Sequence, residues 1–226
     1  MPTPAPPAPP PHAWPTPALL DISPPICAAT PVFPGDAAYQ QSWTASFGTG
    51  DTANVSAIRL SPHLGAHADA PLHNDPAGAA IGAVGLEAFI GPCRVVHAMG
   101  CGPLVQPQHL AHAIGPHAPP PPRVLVRVYE CMPQTQFDPA LPAFSPETVN
   151  WLASMGVQLL GTDSASLDPA DSHTLPSHMA LHRHHMRVLE NLLLDKVPEG
   201  DYELIALPLK LTTAEASPVR AVLRRL

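Results

Sequence analysis

The stretch SPHLGAHADAPLHND, residues 61–75, packs three histidines and two aspartates into a chain of which only 13% is charged. Four of these groups, His63, His67, Asp69 and His73, stand at odd positions. In an extended segment alternate side chains point the same way, so the four can share one face. Pro62, Gly65 and Pro71 argue against a helix here. Neutral imidazoles with a carboxylate are the ligand set of zinc and similar divalent ions, and a carboxylate can bridge two of them. Small residues (Gly65, Ala66, Ala68, Ala70) are interleaved with the polar groups, which lets an ion and a substrate approach. Three or four local ligands leave coordination positions open, as catalytic zinc sites do. Further ligands must then come from distant sequence. SHMALHRHHMRVLEN (177–191) offers His178, His182, His184, His185 and Glu190, and spacing alone does not choose among them. The pair His182 and His185 reads more simply as a partly exposed helix face.

Elements to position these groups can be read around them. NVSAIRLS (54–61) reads as a strand leading into the cluster, and CRVVHAMG (93–100), RVLVRVY (123–129), VQLLGTD (157–163) and YELIALPLKL (202–211) as further strands. DISPPICAATPVFPGD (21–36) reads as a short strand followed by proline-punctuated turns. QPQHLAHAI (106–114) is a short helix candidate. SPETVNWLASMG (145–156) is a better one, with Ser145 as N-cap, Pro146 first in the helix and Gly156 as the stop. HHMRVLENLLLDKV (184–197) carries the strongest helical pattern, with Met186, Leu189 and Leu193 on one face. The irregular alternation and high strand count predict a single α/β domain over 19–226 with a mixed, barrel-like sheet flanked by helices. MPTPAPPAPPPHAWPTPA (1–18) reads as a disordered Pro/Ala-rich extension.

Composition excludes several classes. The net charge is −7 and only Lys196 and Lys210 are lysines, so no basic block suits nucleic acid or a membrane surface. No apolar run is long enough to span a bilayer. The start lacks the basic-then-apolar order of a signal peptide. Cys27, Cys93, Cys101 and Cys131 are scattered without a C-x-x-C pair, which suits a reducing cytoplasm rather than a disulfide framework. No G-x-S-x-G elbow occurs, which argues against a serine hydrolase. Asp163 and Ser164 end a predicted strand, where site residues and turn caps are equally at home. His97, His109, His112 and His117 read as surface or satisfied core residues.

SPHLGAHADAPLH resembles the signature His-x-Gly-Thr-His-x-Asp-x-Pro-x-His of the bacterial kynurenine formamidases, in the metal-dependent cyclase-like hydrolase family. The resemblance runs from about Asp21 to the C-terminus through DISPP, PVFPGD, IGAVGLEAFIGPCRVVH, GTDSASLDP, DYELIALPLKL and ASPVRAVLR, in order. It implies a cyclase-like swivelling β/β/α fold and a homodimer, with residues of both subunits near each pocket. It implies two zinc ions per subunit, with manganese or cobalt as alternatives. Their implied ligands are His63, His67, Asp69, His178 and Glu190, with Asp69 and Glu190 bridging. It implies His73 as catalytic acid/base and Phe33, in PVFPGD, as the aromatic residue lining the substrate pocket. The chain departs from the family pattern twice: Phe33 stands where the family has tryptophan, and Ala66 where the signature has threonine.

The implied reaction is hydrolysis of N-formyl-L-kynurenine to L-kynurenine and formate, in tryptophan breakdown. A metal-bound hydroxide attacks the formyl carbon, and His73 moves the proton to the leaving aryl amine. The alternatives are a related amidase or cyclic-amide hydrolase, and a non-catalytic metal-binding protein. The ligand pair adds a geometric condition. Twelve residues of helix would set His178 and Glu190 about 18 Å apart along the axis and about 120° apart in direction. One unbroken helix therefore cannot bring both to one site, and His178 is predicted on a loop before a helix that starts near His184.

Overall fold

The computed structural model describes residues 19–226. The predicted disordered extension, 1–18, lies outside the described residues. In chain order the strands begin with β1 (Leu19–Asp21), the hairpin β2 (Gln40–Ala45) and β3 (Val55–Arg59), β4 (His67–Asp69) and β5 (Ile90–His97). There follow β6 (Leu104–Val105), the single-turn helix α1 (Pro107–Leu110), β7 (Arg123–Arg127), β8 (Ala143–Phe144) and helix α2 (Pro146–Ser154). The chain closes with β9 (Leu159–Thr162), helix α3 (Pro176–Arg183), β10 (Arg187–Glu190), β11 (Gly200–Ile205), β12 (Ala216–Pro218) and β13 (Val222–Arg225).

Nine strands form one sheet in the order β1-β13-β11-β5-β7-β9-β10-β4-β12. The pairs β5–β7, β7–β9 and β9–β10 are parallel and the rest antiparallel, so the sheet is mixed, as the sequence predicts. Its central strands are buried on both faces, which is why they read as continuous apolar runs rather than alternations. Side chains still divide with a period of two. Val96, Val124, Val126, Leu160 and Val188 pack against α2 and α3 through Val149, Leu152, Ala180 and Leu181. Val95, Leu125, Leu159 and Leu189 point into the opposite core, where the sheet curls and Leu204, Leu223, Ala66 and Ala68 close over them.

Helix α2 starts as read: the Ser145 side chain accepts from the Thr148 amide and Pro146 follows. The segment 184–197 does not form the predicted helix. α3 ends at Arg183, His185 turns at φ 53°, and residues 187–190 enter the sheet as β10 beside β9. Val188 and Leu189 are buried on opposite faces, and a short doubly buried strand and a buried helix share the same dense apolar signature. His178 correspondingly lies inside α3 and not on a loop. The condition that His178 and Glu190 do not share one helix is met, because the break falls between them. The predicted strand 202–211 stops at Ile205, ahead of Pro208, which has no amide to donate to a ladder.

Candidate active site and metal centre

Five pieces of backbone converge at one end of the curled sheet. His67 and Asp69 are two residues apart on β4 and share a face. β10 pairs with β4 so that Glu190 stands directly opposite His67, which brings the distant carboxylate beside the imidazole. His63 sits in a turn held by the Leu64 amide donating to the Ser61 carbonyl at 3.1 Å. Gly65 follows at φ 71°, a conformation that suits glycine, and its carbonyl is 2.9 Å from His67 Nδ1. His73 ends the short 3-10 turn Pro71–His73 just after β4. His178 projects from the first turn of α3. Of the four odd-numbered groups, only His67 and Asp69 share a strand face; turns bring in the other two.

The carboxylate of Asp69 lies at the centre. Its Oδ1 is 3.2 Å from His63 Nδ1 and 3.5 Å from His67 Nε2. Its Oδ2 is 3.7 Å from His178 Nε2 and 4.0 Å from His73 Nε2. Glu190 is 3.3 Å from both His67 Nε2 and His178 Nε2, and its Oε1 also accepts from the Leu167 amide at 2.9 Å. Two groups of metal-competent atoms result, His63–Asp69–His73 and His67–Asp69–Glu190, with Asp69 in both.

His67 Nε2 and both Asp69 oxygens are buried without a hydrogen-bond partner. Buried polar atoms are almost always paired, and three orphans facing one another at carboxylate–imidazole spacing are what divalent cations satisfy. The donor set fits metal on this ground.

The far nitrogens of the three imidazoles are also held. His178 Nδ1 lies 2.6 Å from Asp168 Oδ2, His67 Nδ1 faces the Gly65 carbonyl, and His63 Nε2 lies 3.3 Å from Glu215 Oε1. These contacts aim one nitrogen of each ring at Asp69. Asp168 is fully buried and also accepts from the Ser177 and His178 amides at 2.9 and 3.0 Å. It therefore caps α3 in place of Leu175, which offers no side-chain cap. Neither Asp168 nor Glu215 was singled out by sequence reasoning. Glu215, in the bend just before β12, carries no local signal, although Asp168 belongs to the GTDSASLDP block. Converting Asp168 to asparagine keeps an acceptor for the helix amides but removes the charge behind His178. Metal affinity is expected to fall roughly 10–100-fold in chelator competition, and unchanged affinity would reduce Asp168 to a helix cap.

Charge is balanced tightly here. Burial opposes ionisation of Asp69, but the imidazoles of His178 and His63 outweigh it and hold its pKa well below the carboxylate range. Glu190, likewise buried, is drawn to about 2 by His178 and His67. Burial works against a charged His63, yet Asp69 raises it to about 9. The same contest leaves His178 well above its ordinary value through Asp168, Asp69 and Glu190. Protons on these imidazoles do the work of cations, so metal binding would displace them. His73 differs: burial, with the charges on His63 and His178, lowers its pKa despite Asp69. Its shift therefore runs opposite to those of His63 and His178.

His63, His67, His73, His178 and Glu190 line a cavity of about 430 Å³. Phe33 lines it, as do Tyr129, Met132, Phe137 and Asp163 from elsewhere in the chain. Asp163 follows β9, and its carboxylate accepts from the Val128 and Tyr129 amides at 2.8 and 3.2 Å. Burial pushes its pKa up to about 7 against those hydrogen bonds. Ser164 is buried and its hydroxyl has no partner. Of the histidines read as structural, His97 bonds the Val197 carbonyl and His112 pairs with Glu199.

Residues 20–169 match the cyclase family model, described as "Putative cyclase". The chain is 63% identical over 207 residues to the kynurenine formamidase of Paracidovorax citrulli, covering 91% of this chain and 96% of the relative. It is 60% identical to that of Bordetella pertussis, covering 92% and 98%. Among solved structures, a predicted metal-dependent hydrolase from Bacillus stearothermophilus superposes with a TM-score of 0.77 at 24% identity, over 91% of this chain and 97% of that one. Isatin hydrolase A from Labrenzia aggregata superposes with a TM-score of 0.74 at 23% identity, over 92% and 93%. These two likenesses show a common fold. Taken with the family match and the close relatives, the chain belongs to the cyclase family and, within it, to the kynurenine formamidases.

Proposed function

We propose that this protein is an amide hydrolase that converts N-formyl-L-kynurenine and water to L-kynurenine and formate. The observation that carries the reading is the trio of orphaned buried atoms, His67 Nε2 and the two Asp69 oxygens, among imidazoles that line an aromatic-walled cavity. Two zinc ions would suit the donor set, and His63, His67, Asp69, His178 and Glu190 would hold them. Manganese or cobalt would satisfy the same atoms. When bound, the ions supply Lewis acidity, making water more acidic and the formyl carbonyl more electrophilic.

The chain's own residues do the rest. His73, its pKa lowered by burial and its ring lining the cavity, accepts a proton from the attacking water. The bond from water oxygen to formyl carbon forms as the carbonyl opens. His73 then returns the proton to the aryl nitrogen as the carbon–nitrogen bond breaks, so the amine leaves neutral. Glu215 and Asp168 keep the rings of His63 and His178 in place throughout. Phe33 packs against the substrate's aromatic ring.

A cyclic-amide hydrolase is the second reading, favoured by the fold shared with isatin hydrolase and by Phe33 in the tryptophan position. Formate release from N-formyl-L-kynurenine, measured beside opening of isatin and hydrolysis of the N-acetyl analogue, separates them. Preference for isatin or the acetyl amide would overturn the first reading.

The hairpin β2–β3 supports a homodimer. It stands apart from the nine-stranded sheet and exposes Trp43 (58%), Phe47 (64%) and Ile58 (61%). An isolated two-stranded ribbon is marginal in water, and a second copy would cover it. Light scattering is expected to give a dimer, and Trp43→Glu with Ile58→Glu a monomer; a monomeric wild type would contradict this. Among the described residues no helix is long and apolar enough to cross a membrane. All four cysteines are free, which supports placement in a reducing cytoplasm.

A further inference from the structure

We propose that Phe137 is the second aromatic wall of the substrate slot, and that the Tyr129–Asp138 hydrogen bond positions it. This rests on the reading of the site as one for an aryl amide and names how the aryl group is held. Phe137 comes from the connection after β7, and Phe33 from the turn at residues 31–36. Their rings meet edge to face, 5.1 Å apart at 69°. Both line the same cavity as His63, His73 and His178. An edge-to-face pair leaves ring faces uncovered, and a third aromatic ring gains most by completing such a cluster. The matching ligand is an aniline-type ring, flat and apolar, with its nitrogen toward the histidines.

The connection carrying Phe137 is stapled at intervals. Asp163 takes the Val128 and Tyr129 amides, and Asp195 takes the Met132 amide at 3.0 Å. The Tyr129 hydroxyl donates to Asp138 Oδ2 at 2.9 Å, and the Ala140 amide to Oδ1 at 2.9 Å. The residue next to Phe137 is thereby tied to the end of a central strand. A rigid two-torsion ring on a pinned connection loses little entropy on binding, so this wall is pre-set rather than induced.

The test uses the full-length, metal-loaded enzyme. Phe137→Ala is expected to raise KM for N-formyl-L-kynurenine about tenfold and to weaken binding of L-kynurenine by the same factor, with kcat changed less than threefold. Phe137→Tyr restores both. Tyr129→Phe, which removes only the hydroxyl, is expected to give the same signature at about threefold. Melting temperature and metal content report folding, and Phe137→Leu serves if the alanine variant is unstable. KM and kynurenine binding within twofold of wild type, or a loss confined to kcat, would overturn the proposal. If wild type releases no formate from N-formyl-L-kynurenine, the formamidase reading falls and the slot is tested by binding of 2-aminoacetophenone. Tenfold weaker binding in Phe137→Ala sustains it; equal binding, or none to wild type, overturns it.

Discussion

His73→Ala is expected to lower kcat for formamide hydrolysis by about 10²–10⁴-fold, the usual worth of a positioned acid/base, while metal content stays at the wild-type level. His73 is held differently from its neighbours. The rings of His63, His67 and His178 each have a far nitrogen anchored by Glu215, Gly65 or Asp168. His73 has no such anchor among its described contacts, and its Nε2 stands 4.0 Å from Asp69, the longest of the four approaches. Burial lowers its pKa, so it can accept a proton at neutral pH. Its side chain is also more accessible, at 28% against 17% for His63. His73 nevertheless falls within one of the two groups of metal-competent atoms. The variant decides between the roles: activity lost with metal retained marks a proton carrier, and metal lost with activity marks a ligand. Activity unchanged would leave a site that holds metal without using it for this reaction.

Asp69→Asn is expected to be at least as severe. One carboxylate faces four imidazoles and belongs to both metal-competent groups, so removing its charge would weaken metal binding across the whole centre. Metal per chain should fall towards zero after dialysis, and kcat/KM should drop by more than about 10³-fold. Thermal unfolding gives a second readout. Metal that binds only the folded chain stabilises it by about 4 kcal/mol at a thousandfold excess over Kd, worth roughly 10 °C in a chain of this size. Chelation should lower the wild-type Tm by about that amount and leave Asp69→Asn unmoved. Equal sensitivity to chelator in both proteins would show that the metal sits elsewhere.

How much of this was legible in the sequence depended on range. The cluster 61–75 was visible because His63, His67, Asp69 and His73 are close in sequence and their residue types are specific. The mixed sheet was visible in apolar runs such as 123–129, and α2 in its Ser145–Pro146 start. Resemblance, not spacing, singled out His178 and Glu190 from five candidate donors. Why Glu190 arrives is a matter of β10–β4 register, which no local pattern encodes. The same non-locality hid Glu215 and Phe137, whose partners lie on other strands and turns. Residues 184–197 carry a helical pattern yet do not form that helix, because Leu-rich helix periodicity and a doubly buried strand look alike until pairing with β9 decides between them. Sheet pairing overrode helix propensity there, and the break at His185 is what lets His178 and Glu190 meet.

The central claim is that the orphaned atoms of His67 and Asp69 belong to a two-metal formamidase centre. Its most direct test is titration of zinc into metal-free protein with bound metal and formate release from N-formyl-L-kynurenine read in the same samples. Activity that climbs to a plateau at two ions per chain is the predicted result. Full activity in the metal-free protein, or two bound ions with no formate released, would contradict it.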